Sequence, residues 1–274
     1  MKRIVTVQDI SCFGKCSSTV AMPVLSACGI ETVLLPTAIL STHTGEFKGY
    51  TYLPFEDEMQ KIINHWKTLD LVFDAIYVGY IGRPGEVDIT EKFISDFRKD
   101  GTLIYIDPAM ADNGKLYSGI DETYVEKIKN LCRSADIISP NVTEAAILAG
   151  CEMRQNYTYD NMKEIAAKLG EITSKTVITG VHHDDGICTY TAENGKITEK
   201  IKKPLRNGIF YGAGDLFSSV FVAAYLNGKS LEQAAEDASE FVSICIADMM
   251  DEHEKYWYGV NFERHLWRLT KDKN

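Results

Sequence analysis

Residues 75–108 read AIYVGYIGRPGEVDITEKFISDFRKDGTLIYIDP. Ala75–Val78 is a short, wholly apolar run that stops at Gly79. After a polar turn, Val87–Lys99 carries apolar residues at helical spacing, and Thr102–Ile106 is a second apolar run that stops at Asp107-Pro108. Strands apolar on both faces and joined by an amphipathic helix belong to a parallel sheet covered by helices on each side.

The theme repeats outward. Arg3–Gln8 reads as a first buried strand, about Ser17 to Cys28 as a helix and Glu31–Leu35 as a second strand. Asp136–Ile138 ends at Ser139-Pro140-Asn141, and Thr176–Thr179 is another short strand. Between Gly186 and Ile201 two β-rich runs flank Asn194-Gly195, a hairpin signal. After Asp215 come helical segments in LFSSVFVAAYLNG, LEQAAEDASEFVSICIADMM and FERHLWRLT. With no repeat, low-complexity tract or Pro/Ser-rich linker, residues 1–274 read as one α/β domain with a mostly parallel central sheet. Ligands of such sheets sit beyond the carboxyl ends of the strands. Asp9, Thr44, Tyr80, Asp107, Asn141 and Thr179 stand at those places.

Composition sets limits. A net charge of −10 excludes a broad basic surface for nucleic acid. A phosphate site remains open, because backbone N–H groups at a helix start supply a local positive field. The apolar run in MKRIVTVQDI is too short and interrupted for a signal peptide or a membrane span. Seven cysteines without framework spacing read as free thiols in a reducing cytoplasm. Cys12 and Cys16 lack a second Cys/His pair and read as ordinary thiols.

Residues 208–219, GIFYGAGDLFSS, carry the chemistry. A glycine-rich turn, Gly212-Ala213-Gly214-Asp215, opens directly into an apolar helix. The amides of residues 213 to 215 are expected to converge on one spot, reinforced by the helix dipole, as an anion hole for a phosphoryl group. Asp215 faces the same spot, where it suits a general base for an attacking hydroxyl. The same four residues equally suit a helix entry turn capped by Asp215. Rival motifs fail. Gly14-Lys15-Cys16-Ser17 has a P-loop flavour, but Asp9 stands at the first glycine position and Cys16 replaces Ser/Thr. No G-x-G-x-x-G follows the first strand, His253-Glu254 lacks the second histidine of a zincin helix, and no serine nucleophile elbow is present. His182-His183-Asp184-Asp185 reads as a solvated loop over the nucleotide rather than a metal cluster.

Five segments together resemble the vitamin B6 (pyridoxal) kinase branch of the ribokinase superfamily: GAGD, ILSTHTGEFKGY (39–50), VGYIG (78–82), YIDPAMADNGKLY (105–117) and DIISPNVTEAAIL (136–148). Their order and spacing match from Ile4 to about Ala224. The resemblance implies a ribokinase-like three-layer α/β/α sandwich and ATP-dependent phosphorylation of the 5′-hydroxymethyl group of pyridoxal, pyridoxamine or pyridoxine. It implies Asp215 as base and Gly212, Ala213 and Gly214 as the anion hole. Thr44 and His43 then lie in the pyridine-binding region, and Tyr80 packs near the substrate ring. Asp107 and Asp112 lie near the ATP phosphates and metal, Asn141 and Glu144 help to hold Mg·ATP, and Thr179 sits by the triphosphate or ribose. The implied cofactors are ATP and Mg²⁺, with a monovalent cation left open, and a homodimer is expected, with Phe47–Leu53 as part of an interface or lid.

Blander readings accompany these. Asp107-Pro108 also simply ends a strand, and Asn141 with Glu144 three residues on is a helix-start signature. His43 also suits a satisfied core histidine, and Tyr80 plain packing. One departure bears on specificity. Where better-known B6 kinases carry Ser after the Gln that ends the first strand, this chain has Asp9 after Gln8. An ionised carboxylate accepts hydrogen bonds and favours a cation, so Asp9 is assigned to the substrate site with a preference for an amine-bearing or protonated ring such as pyridoxamine. A related subtype with an active-site Cys has Ala111-Asp112 in its place here. The alternatives are a hydroxymethylpyrimidine kinase, which shares GAGD, and a non-catalytic ligand-binding homologue, which has no need of Asp215. A sugar kinase is disfavoured by the lack of an N-terminal glycine-rich sugar-binding segment.

Overall fold

The structure is a computed structural model and describes residues 1–183, 186–252 and 254–273. Asp184, Asp185 and His253 of the motifs above lie outside them.

β1 (Arg3–Phe13), β2 (Glu31–Thr42), β4 (Ala75–Val78), β5 (Leu103–Ile106), β8 (Ile137–Ile138) and β9 (Lys175–His183) pair in parallel. β3 (Tyr52–Pro54) adds antiparallel at one edge. β10 (Gly186–Glu193) and β11 (Lys196–Lys203) add as an antiparallel hairpin at the other. The order is β11-β10-β9-β8-β5-β4-β1-β2-β3. Asn194 and Gly195, with φ of 48° and 75°, turn that hairpin in the twist-matched type I′ manner the sequence signals.

β1 and β2 run well past their expected ends, since Ser11, Leu40 and Thr42 continue the pairing beyond a bulge between Gln8 and Ile10. β3 was not foreseen: Tyr52-Leu53-Pro54 is too short for an alternation signal and exists because β2 offers it an edge. β6 (Ala111–Asp112) and β7 (Lys115–Leu116) form a small separate hairpin.

On one face lie α1 (Ser18–Ala27), α7 (Ala213–Leu226) and α8 (Leu231–Met249), packed through Val24, Leu216, Phe221 and Phe241 on Ile4, Tyr77 and Tyr105. On the other lie α2 (Glu56–Trp66), α3 (Pro84–Phe97), α4 (Glu122–Cys132), α5 (Val142–Ala149) and α6 (Tyr159–Leu169), packed through Met59, Phe93, Leu131 and Leu169 on Val5, Val78 and Ile106. This is the three-layer sandwich the resemblance implies. Full burial of each such side chain stabilises by about 1.5–3 kcal/mol. The chain leaves β1 toward β2 through a helix on one face and returns to β4 through a helix on the other. The sheet therefore switches direction beside β1, and a crevice opens there at the strand ends. No disulfide joins any of the seven cysteines.

Candidate active site

α7 begins at that crevice. Gly212 enters it at φ +76°, and a Cβ there would stand 1.8 Å from the Lys15 carbonyl oxygen, so the turn excludes any side chain. Gly214 is exposed, and a Cβ there would meet nothing within 4 Å. The space in front of the first turn is thus open. Ala213 differs from expectation: its N–H is given to the Phe210 carbonyl at 3.1 Å, which leaves the amides of Gly214 and Asp215 for an anion. The Asp215 carboxyl is only partly open to solvent, and loss of hydration pushes its pKa up to about 7. The charges of Asp107 and Asp9 push the same way, against the approaching Ser17 N–H, which lowers it.

Across the crevice Asp107 ends β5 and accepts 2.7 Å from Ser218 Oγ; burial raises its pKa and that bond lowers it. Asp112, on β6, is exposed at the rim. Neither makes an ion pair with Lys or Arg among the described residues, and two hard carboxylates fit Mg²⁺, which completes its shell with water and phosphate oxygens. No group of three or more His, Cys, Asp or Glu forms a ready-made cage among the described residues. Glu144 is placed differently from the other two. It is buried, and Oε1 accepts from Met110 N (3.0 Å) and Ala111 N (3.3 Å) while Oε2 accepts from Asn141 N (2.9 Å). Its carboxyl, raised by burial and by Asp107, is occupied in fixing the 110–111 turn. Asn141 completes that capping box through Oδ1, and its Nδ2 donates to the Ala111 carbonyl at 2.7 Å. Thr179 lies beside Asn141 through a single β-bridge.

On the β1 side, Asp9 sits at the bulge, 3% exposed, accepting 2.9 Å from Ser11 Oγ; burial raises its pKa, against the nearby Ser17 and Ser11 hydroxyls. Its charge adds to the burial that raises the pKa of Tyr80 and of Tyr52, so both phenols lie within electrostatic range of it. His43 is brought to the crevice but both ring nitrogens are engaged. Nδ1 accepts from Gly45 N (3.1 Å) and Nε2 donates to the Tyr258 carbonyl (2.9 Å). The ring packs on Tyr211 and Phe47, each 4.9 Å between centroids, which makes His43 a clamp on the 43–47 turn. Thr44 beside it is exposed.

Ser17, Lys15 and Tyr52 were missed. Ser17 was legible only as the start of α1. Its φ of +53°, which turns it toward both Asp215 and Asp9, comes from packing that no local pattern encodes. Tyr52 follows from β3, which lacked a signal.

The sequence profile of the family described as phosphomethylpyrimidine kinase matches residues 22–258. A Bordetella avium pyridoxine/pyridoxal/pyridoxamine kinase is 28% identical over 257 residues, 89% of this chain and 84% of that one. A Bacteroides thetaiotaomicron protein, named for phosphomethylpyrimidine kinase and crystallised with pyridoxal, superposes with a TM-score of 0.93 at 35% identity, covering 98% of this chain and 95% of its own. Pyridoxal kinase from Leishmania donovani, solved with ADP and pyridoxamine, shares the fold with a TM-score of 0.90 at 21% identity, over 99% and 96% of the two chains. The chain belongs to the phosphomethylpyrimidine kinase family and is a member of its pyridoxal kinase group, built on the ribokinase-like α/β/α fold.

Proposed function

We propose that this protein transfers the γ-phosphoryl group of ATP to the 5′-hydroxymethyl group of B6 vitamers, with Asp215 as the general base. The observation that carries the reading is the α7 tip, where a carboxyl with a pKa near 7 stands beside two unspent amides and an open Gly214. Asp215 accepts the proton as the alcohol attacks, and the Gly214 and Asp215 amides hold the charge of the moving phosphoryl group. Mg²⁺, when bound, neutralises the triphosphate, and Asp107 and Asp112 are the residues to hold it, through water where they do not reach. Glu144 and Asn141 shape that side, with Thr179 beside them. Asp9 and Tyr80 take the ring side; His43 and Thr44 border it.

The family's description favours a second reading, phosphorylation of a hydroxymethylpyrimidine. Pyridoxal in the Bacteroides relative and the three vitamers in the Bordetella name support the B6 assignment over it. ADP in the Leishmania kinase supports ATP as donor. Seven cysteines held as thiols rather than disulfides support a reducing, cytoplasmic setting. The exposed edge strand β3, with Leu53 58% exposed, supports a homodimer through that edge. The test is ADP release with pyridoxal, pyridoxamine, pyridoxine and hydroxymethylpyrimidine. Turnover with a vitamer that Asp215→Asn abolishes upholds the reading. Turnover with the pyrimidine alone, or none at all, overturns it in favour of the second reading or of a binder.

A further inference from the structure

The Gly14–Ser17 turn, which looks in sequence like part of a phosphate loop, spends its lysine elsewhere. Lys15 Nζ donates to Asn261 Oδ1 at 2.6 Å and to Glu263 Oε2 at 2.9 Å, with the rings of Tyr256 and Phe262 each 5.8 Å away. Its side chain is 16% exposed. The segment that carries these groups is stitched along the active-site turns. The Tyr258 carbonyl accepts from Lys15 N at 3.4 Å and from His43 Nε2 at 2.9 Å, and Val260 N donates to the Tyr211 carbonyl at 3.1 Å. On its inner side the Lys15 carbonyl lies against Gly212, the entry to α7.

Two residues on is Ser17, at φ 53° and ψ −130°, a conformation that strains a residue with a side chain and persists only where its surroundings over-determine it. The strain has a product: the Ser17 N–H is turned toward the Asp215 carboxyl and its hydroxyl toward Asp9, each close enough to favour the ionised form, while the Lys15 carbonyl of the same turn lies against the α7 entry at Gly212.

We propose that Lys15 is a positioning residue: anchored by Asn261 and Glu263, it clamps the 14–17 turn between the C-terminal segment and Gly212 so that Ser17 presents its N–H to Asp215. This rests on Asp215 being the base, as proposed above. With its ammonium engaged by Asn261 and Glu263, Lys15 acts through the turn and fixes where the base stands. Displacement of a catalytic group by about 1 Å costs on the order of 10²-fold in rate, so the effect falls on turnover.

The experiment compares wild type, Lys15→Met, Lys15→Arg and the double variant Asn261→Ala/Glu263→Gln in steady-state ADP release, referred to folded protein measured by circular dichroism at the assay temperature. Lys15→Met keeps the apolar stem and loses the ammonium. It is expected to lower kcat by roughly 10- to 100-fold with KM for ATP within about twofold of wild type. The double variant is expected to give the same split through the anchor alone, and Lys15→Arg to recover most of the loss. Wild-type kcat in Lys15→Met, or an equal loss in Lys15→Met and Lys15→Arg, overturns the inference and leaves the kinase reading standing. A wild-type protein that turns over no vitamer overturns both.

Discussion

Ser218 on α7 donates a 2.7 Å hydrogen bond to Asp107 at the end of β5, so the helix that carries Asp215 is tied to the strand end that carries the opposing carboxylate. The tie is backed from behind: Tyr105 OH donates to Ser139 Oγ at 2.5 Å, and the Ser139 and Ser218 hydroxyls lie 3.3 Å apart. The Ser218 bond favours the ionised form of Asp107 against the burial that opposes it. Ser218→Ala is therefore expected to raise the Mg²⁺ concentration for half-maximal rate by roughly tenfold or more, the value of one hydrogen bond to a charged group. KM for the vitamer should stay put. A metal titration of both proteins checks this; superimposable curves would remove Asp107 from metal binding.

Asp215 works as a base only when deprotonated, and burial has moved its pKa up to about 7. The kcat/KM for the vitamer should thus climb with pH through an acid limb centred near 7 and level off above it. Asp215→Asn should lose about 10²- to 10⁴-fold in kcat, and its residual rate should lack that limb. The pH–rate profiles of the two proteins decide. An unchanged limb in the variant assigns the titration to another group.

The two glycines of the turn should fail in different ways. Gly212→Ala forces a Cβ into the Lys15 carbonyl from a left-handed backbone, so it should cost at least about 2 kcal/mol of stability. Gly214→Ala meets open space and keeps an ordinary backbone, so its melting temperature should match wild type. The same methyl intrudes where the phosphoryl group is to sit, and kcat should fall by roughly tenfold or more, on the scale of a lost oxyanion contact. Thermal melts paired with turnover separate the two effects. A destabilised Gly214→Ala, or one of full activity, contradicts the anion-hole reading.

Asp9 is a buried carboxylate whose hydrogen-bond partner, Ser11, and close neighbour, Ser17, are hydroxyls without charge. A bound cation would supply what it lacks. Asp9→Ser is expected to lower kcat/KM for pyridoxamine relative to pyridoxal by about tenfold, the difference made by one charge-assisted contact. Equal ratios in both proteins would make Asp9 a scaffold for the β1 bulge alone.

What the sequence disclosed follows the range of the forces involved. Wholly apolar runs such as Ala75–Val78 must be buried on both faces, so the parallel sheet was legible. The Asn194-Gly195 turn and the Gly212–Asp215 entry were legible because positive φ restricts the residues that can stand there. Glu144 was assigned to the metal side on resemblance, whereas its place in the capping box, also visible in the sequence, describes its contacts better. The blander reading of His43 likewise matches its two engaged nitrogens. Ser17 and Lys15 escaped because their partners stand about 200 and 250 residues away, a range at which local pattern carries nothing.

Glu86, outside the chemistry, offers a test of the pocket wall through stability. It opens α3 with Oε2 accepting from Gly82 N (3.1 Å) and Arg83 N (3.0 Å). Oε1 is buried without a hydrogen bond of full geometry, because the Phe55 N–H that approaches it is given to the Thr37 carbonyl at 2.9 Å. Burial pushes the Glu86 pKa from 4.5 up to about 7, with the charge of Glu56 adding to it. The folded state therefore holds a proton that the unfolded chain releases at lower pH. Stability linked to Glu86 is full below about 4.5, declines as pH rises to about 7 and stays lost above. Glu86→Gln keeps an oxygen for the Gly82 and Arg83 amides and turns a neutral amide toward the region of the Tyr52 hydroxyl, which also lacks a partner among the described residues. The variant should match wild type at pH 5 and exceed it at pH 9, by at most roughly 3 kcal/mol. Urea unfolding at the two pH values measures the difference. A variant less stable than wild type at pH 9 would show that the ionised carboxylate is stabilised in the fold, and that burial does not govern this site.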